Sequence, residues 1–227
     1  MQKKRGYMIK RKNVLELCDV LEQKSAVIFD MDGLIFDTER LFMEQLAVVM
    51  KEHGYSLDRK TYCMTLGLGG KQLRDTMCTF FGTDYPFEKI SEEADKRTMM
   101  IADTVGLCVK PHIRQVLQFL QQKCIPCTVA SSTQTNTVEH YLKKAGLIGF
   151  FQVIVGGEQV EQSKPAPDIF LKACEMLSKE PKHSIVLEDS ENGIRAAHSA
   201  GCEVICIPDL KQPSDDVLPY ITYLCCE

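Results

Sequence analysis

The sequence predicts an α/β fold in which a parallel sheet carries helices on both faces and a small helical domain is inserted after the first strand. Three observations carry that prediction. Four short, mainly apolar runs, Ala26 to Phe29, Ile125 to Ala130, Ser184 to Leu187 and Val204 to Ile207, have the length of buried strands. From Gly106 onward helical stretches lie between these runs, and such alternation implies parallel crossovers. The stretch from about Arg40 to Val105 breaks the alternation and holds no strand run.

Residues 1–24 come first and read as a basic N-terminal extension. Lys3, Lys4, Arg5, Lys10, Arg11, Lys12 and Lys24 face only Glu16, Asp19 and Glu22, a net charge of +4. Tyr7 is the one aromatic residue among them, so the expectation is a solvated arm without a nucleic-acid partner. Lys10, Arg11 and Lys12 interrupt any apolar stretch of signal-peptide length, and no run is long enough to span a membrane. A cytoplasmic protein without a membrane partner is therefore expected. The whole chain of 227 residues has a formal charge of -4 and is 44% hydrophobic and 26% charged, which suits one soluble core with a modest insertion. A monomer is expected.

Residues 25–39 hold the first strand and a polar turn, and 106–227 the rest of the core. Between them, 40–105 is expected to be helical, because Leu41, Leu46, Val49 and Met50, and later Ala94, Arg97, Thr98 and Ile101, recur at helical spacing. Loops leaving strand C-termini border the ligand site of an open α/β sheet, so this insertion reads as a lid. In the core, helices are expected from Pro111 to Lys123, from Thr135 to Ala145 ahead of Gly146, from Pro165 to Ser178, and from Glu191 to Ala200 ahead of Gly201. A fifth strand is expected at Gln152 to Val155.

The chain has 11 cysteines, an odd number, and with no secretion signal they read as reduced thiols. Cys124 and Cys127 have redox-motif spacing but lead into a strand run instead of opening a helix, and no second pair at matching spacing completes a zinc site.

Three strand runs end in polar or ionisable residues: Asp30 after Phe29, Ser131 after Ala130, and Glu188 and Asp189 after Leu187. In a parallel sheet those ends share one edge, the edge that binds ligands, so Asp30, Asp32, Ser131, Glu188 and Asp189 can share one pocket. Crowded carboxylates resist ionisation unless a cation sits among them. Hard oxygen donors without His or thiolate select Mg²⁺, which commonly accompanies a substrate phosphate. Asp30 and Asp32 leave the strand toward one side, so one can attack while the other moves protons, and Gly33 permits the tight turn. Lys164, in Ser163-Lys-Pro-Ala-Pro-Asp168, precedes two prolines that stiffen the backbone at a helix start, where a fixed ammonium can screen a carboxylate from a phosphate.

Taken together these strings resemble the haloacid dehalogenase superfamily, in its beta-phosphoglucomutase-like branch of phosphatases and mutases. The resemblance spans about Ala26 to Ile207 and rests on four motifs in order: Asp30-Met-Asp-Gly-Leu-Ile-Phe-Asp-Thr-Glu39, Val129-Ala-Ser-Ser132, Ser163-Lys-Pro-Ala-Pro-Asp168 and Glu188-Asp-Ser-Glu-Asn-Gly193. It implies a Rossmann-like core with a small helical cap at 40–105. It further implies Asp30 as nucleophile, Asp32 as general acid and base, and Ser131 and Lys164 as phosphate-binding groups. A Mg²⁺ site would be formed by Asp30, Glu188, Asp189 and the backbone carbonyl of Asp32.

The activity implied is a Mg²⁺-dependent phosphatase acting on a small phosphorylated metabolite, such as a sugar phosphate, through an aspartyl phosphate. A beta-phosphoglucomutase is the alternative. Mutases of this branch carry a cap histidine where this chain has Phe42, and a cap arginine where Gly70 stands, so the cap favours hydrolysis. A non-catalytic regulatory relative is the reading from another class, and the complete set of motif residues opposes it. Lys71, beside the glycines of Gly67-Leu-Gly-Gly-Lys-Gln72, is the candidate for reading the leaving group.

Overall fold

The structure is a computed structural model and describes residues 9–225. The chain divides into two compact units, one made of Met1–Phe36 and Val109–Glu227, the other of Asp37–Cys108.

In the first unit the chain runs β1 (Lys10–Lys12), α1 (Val14–Leu21) and β2 (Ala26–Phe29). The second unit then contributes α2 (Thr38–Glu52), α3 (Arg59–Thr65), α4 (Gly70–Phe81) and α5 (Phe87–Thr104). The first unit resumes with α6 (Ile113–Gln122), β3 (Cys127–Ala130), α7 (Thr135–Lys144), β4 (Val153–Val155), α8 (Asp168–Met176), β5 (Ser184–Glu188), α9 (Glu191–Ser199), β6 (Glu203–Cys206) and β7 (Tyr223–Cys225). All the strands join one parallel sheet in the order β1-β7-β6-β5-β2-β3-β4. This is the α/β architecture that the alternation predicts.

Why β2 is central follows from its sequence. Ala26, Val27, Ile28 and Phe29 are all fully buried, as a strand covered on both faces requires. Its register pairs Val27 with Cys127 on one side and with Ile185 on the other. On one face of the sheet Ile28, Ala130, Val155, Val186 and Val204 pack with Ile169, Phe170 and Ala173 of α8 and Ile194 and Ala197 of α9. Phe170 is fully buried in that layer, and truncating such a ring typically costs about 3 to 5 kcal/mol.

The expectation of a solvated arm over residues 1–24 is corrected for the part that is described, while residues 1–8 lie outside the described residues. Lys10–Lys12 pairs in parallel with Tyr223–Cys225, a strand the sequence reading did not contain. Asn13 and Glu16 form a reciprocal capping box at the start of α1, whose Leu17, Val20 and Leu21 are buried. Lys24 donates to Glu203 at 2.5 Å. Burial of the apolar stripe and pairing of the backbone outweigh the solvation that the charges alone suggest.

The second unit holds only helices among the described residues, with α2 packed on α5. Leu46, Val49 and Met50 of α2, Tyr62 of α3, Met77 of α4 and Ile90 and Ala94 of α5 are buried. Arg97 of α5 bridges Glu52 and Glu93, and His53 meets Glu93 at 3.1 Å. No helix among the described residues is long and apolar enough to cross a membrane. Cys127 is buried in β3 and Cys124 is exposed ahead of it.

Candidate active site

The connections from β2 run to β3 and β4 on one side, and the chain then returns to place β5, β6 and β7 on the other. The strand order therefore reverses at β2, and open α/β sheets bind ligands in the crevice beyond the strand ends at such a switch point. Asp30 and Asp32 follow β2, Ser131 and Thr133 follow β3, and Glu188 and Asp189 end β5, so the switch point is polar on all three strands.

Lys164 ties this edge together. Its ammonium donates to Asp30 Oδ1 at 2.5 Å, to Glu188 Oε1 at 2.7 Å and to the Ala130 carbonyl at 3.4 Å, which uses its three donors. The same nitrogen lies 4.9 Å from the centre of the Phe170 ring. The Lys164–Pro165 peptide bond is cis. Burial alone would lower the lysine pKa, but the carboxylates of Asp30 and Glu188 outweigh it and hold the ammonium above its ordinary value.

Glu188 is fully buried and has both oxygens committed within the protein. Oε1 accepts from Lys164, while Oε2 accepts from the Ser190 amide at 2.8 Å and the Ser190 hydroxyl at 2.9 Å. Ser190 also caps α9 by accepting from the Gly193 amide at 3.0 Å. A Cβ at Gly193 would fall 1.6 Å from Glu188 Oε1, so only glycine lets the helix approach this carboxylate. Glu188, expected as a metal ligand, pairs with Lys164 in this structure.

Asp32 is held by the loop after β3. Thr133 donates its hydroxyl to Asp32 Oδ2 at 2.9 Å, and Ser131 donates to the same oxygen at 3.3 Å. Asp30 is buried, and burial raises its carboxyl to about 8, with Glu188 and Asp32 adding to the rise and Lys164 opposing it. Asp189 is likewise raised well above the carboxylate range by burial and by Glu188 and Asp30. One ammonium thus serves more carboxylates than it can neutralise.

Asp189 Oδ1 is buried with no hydrogen-bond partner. Among the described residues no group of three or more His, Cys, Asp or Glu side chains stands in a metal-ligating arrangement. The local chemistry nevertheless fits a hard cation: an unpartnered carboxylate oxygen, a raised Asp30 beside it and oxygen donors throughout. Gly33 lies against the same carboxylate, with φ +78° and an ideal Cβ position 2.3 Å from Asp189 Oδ2.

The structure therefore brings Asp30, Asp32, Ser131, Lys164, Glu188 and Asp189 to one edge. Lys71 lies in the other unit, exposed on the first turn of α4, where it lines a surface depression with Gln72, Asp75, Thr76 and Thr79. Sequence reasoning did not single out Thr133, Ser190 or Asp209. The last follows β6 and pairs with Lys110, and applying the strand-end rule to Val204–Ile207 would have found it.

A family model for haloacid dehalogenase-like hydrolases matches residues 27–207. A phosphorylated carbohydrates phosphatase of Thermotoga maritima is 31% identical over 79% of this chain and 83% of its own. A probable pseudouridine-5'-phosphatase of Drosophila melanogaster is 32% identical over 84% of each. Among solved structures, a candidate beta-phosphoglucomutase from Thermotoga maritima superposes with a TM-score of 0.72 at 27% identity, covering 89% of this chain and 94% of that one. With its match over most of the chain and the motif residues gathered at one sheet edge, the chain belongs to the haloacid dehalogenase-like hydrolase family, in the beta-phosphoglucomutase-like phosphatase branch.

Proposed function

We propose that the protein is a Mg²⁺-dependent phosphatase that hydrolyses a small phosphorylated metabolite, of the sugar phosphate kind, through an aspartyl phosphate on Asp30. The observation that supports this most is Asp30 itself. It is buried at the switch point, bound through one oxygen by Lys164 and backed by a carboxylate with an unpartnered oxygen.

Asp30 attacks phosphorus with the oxygen that Lys164 leaves free, forming the acyl phosphate as the ester P–O bond breaks. Asp32 gives its proton to the departing oxygen, so an alcohol leaves. Water then attacks the same phosphorus, Asp32 takes its proton, and phosphate departs with Asp30 restored. Ser131 donates to a phosphoryl oxygen throughout, and the Lys164 ammonium beside Asp30 offsets the charge of the phosphoryl group. When bound, Mg²⁺ held by Asp30, Asp189 and the Asp32 carbonyl supplies the positive charge that the cluster lacks.

Hydrolysis is favoured over sugar phosphate mutation by Phe42. Its ring lies 6.4 Å from that of Tyr62 within the helical unit and has no proton to exchange with a sugar hydroxyl. The phosphorylated carbohydrates phosphatase among the relatives supports the substrate class. A screen of sugar and nucleotide monophosphates, with Mg²⁺ and with excess chelator, tests the reading. Release of phosphate from at least one sugar phosphate, abolished by chelator, is expected. Undiminished release in chelator would overturn the metal dependence, and glucose 6-phosphate forming from beta-glucose 1-phosphate faster than free phosphate would favour the mutase.

A further inference from the structure

The loop after β3 makes more contacts to Asp32 than phosphate binding requires. Asp32 Oδ2 takes two hydroxyl donors, Thr133 at 2.9 Å and Ser131 at 3.3 Å. Ser131 Oγ also accepts from the Thr133 amide at 3.0 Å, and the Thr133 carbonyl accepts from the Gly157 amide at 3.1 Å. Thr133 is therefore fixed at its amide, its carbonyl and its side chain, while Ser131 makes the longer bond to Asp32.

A hydroxyl has one proton to give. If Ser131 donates it to a phosphoryl oxygen, as the mechanism above assumes, it cannot also donate to Asp32. The Thr133 bond is the shorter of the two, and the backbone around it is pinned. We propose, resting on that mechanism, that Thr133 is the positioning residue for Asp32. It holds Oδ2 and so presents Oδ1 as the oxygen that carries the proton, while the Ser131 bond is the one surrendered when phosphate arrives. The Thr133 hydroxyl then stays on Asp32 through both half-reactions and does not bind phosphate.

This separates Thr133 from a phosphate ligand in a measurable way. Loss of a positioned acid penalises poor leaving groups, whereas a nitrophenolate departs with little protonation. The variants are Thr133→Val, which keeps the shape without the hydroxyl, and Thr133→Ser, which keeps the hydroxyl. Each is compared with wild type for kcat/KM on p-nitrophenyl phosphate and on the best sugar phosphate from the screen, because kcat/KM reports the step that forms the acyl phosphate. In Thr133→Val the loss on the sugar phosphate should exceed that on the nitrophenyl ester by on the order of ten- to a hundredfold, the scale of one hydrogen bond to a charged group. Thr133→Ser should recover most of the difference, and the inhibition constant for inorganic phosphate should move by less than about threefold in either variant. Equal losses on both esters, a parallel loss of phosphate inhibition, or no loss on either would overturn the assignment. Wild-type protein that releases phosphate from neither ester would instead overturn the phosphatase mechanism, and this inference with it.

Discussion

Two adjacent parallel strands each end in a pair of acids, and the pairs are treated differently. After β2 come Asp30 and Asp32, and at the end of β5 come Glu188 and Asp189. Within each pair the nearer acid is taken by Lys164, through Asp30 Oδ1 and Glu188 Oε1. The outer acids diverge. Asp32 receives two hydroxyl donors, whereas Asp189 keeps an unpartnered oxygen. Hydroxyl donors suit a group that passes protons, and an unpartnered buried carboxylate suits a cation. Acid count at a strand end thus says little about role, while the partner of each oxygen says a great deal.

The largest effect should come from the inner acid of β2. Asp30→Asn cannot form the acyl phosphate and should lower kcat by on the order of a thousandfold or more with the fold intact by circular dichroism. Near wild-type turnover in a folded variant would remove Asp30 from the mechanism.

The two acids of β5 should separate next. Asp189→Ala should raise the Mg²⁺ concentration for half-maximal rate by on the order of ten- to a hundredfold, since one oxygen donor is removed. Glu188→Gln should instead lower kcat at every Mg²⁺ concentration, because Lys164 loses a charged partner that helps fix it against Asp30. If Glu188→Gln shifts the metal titration as far as Asp189→Ala does, the distinction drawn between these two acids is mistaken.

The smallest effect concerns stability. Folding raises the Asp30 carboxyl to about 8 from an ordinary value near 4. The folded state then binds the proton more tightly than the unfolded state, so stability falls as pH climbs through that window and levels off above about 8. In chelator-containing buffer, wild-type Tm should fall relative to that of Asp30→Asn by several degrees between pH 5 and 8. Parallel Tm curves for the two proteins would show that Asp30 is not raised by burial.

Much of this was legible in the sequence, for reasons that differ by residue. Ala26 to Phe29 is apolar without interruption, so the strand could be read, and with it the position of Asp30. Lys164 could be singled out because two prolines, Pro165 and Pro167, follow it at a helix start. β1 could not be read as a strand, since Lys10-Arg11-Lys12 has no apolar signal and its pairing depends on the backbone of β7, far along the chain. For α1 the signal is present, in Asn13 with Glu16 and in the spacing of Leu17, Val20 and Leu21, but the helix is short and sits beside a basic cluster that favours solvation. Glu188 shows a harder limit. Its residue type and strand end are those of a metal ligand, and only the positions of Lys164 and Ser190 show that both oxygens are already engaged. Thr133 carries no sequence signal that separates it from any other loop hydroxyl.

The outer strand β1 has a further consequence, for solubility. It forms one border of the sheet, and a border strand offers backbone groups to which a foreign strand can add. Here that border is Lys10, Arg11 and Lys12, with Lys10 Nζ 5.5 Å from the centre of the Tyr223 ring on the neighbouring strand. A second molecule approaching in register would bring its own three cations against these. The opposite border is β4, Val153-Ile154-Val155, which carries no charge at all. Among the described residues the sheet is therefore guarded electrostatically at β1 and not at β4, and strand addition between molecules, where crowding forces it, would begin at β4.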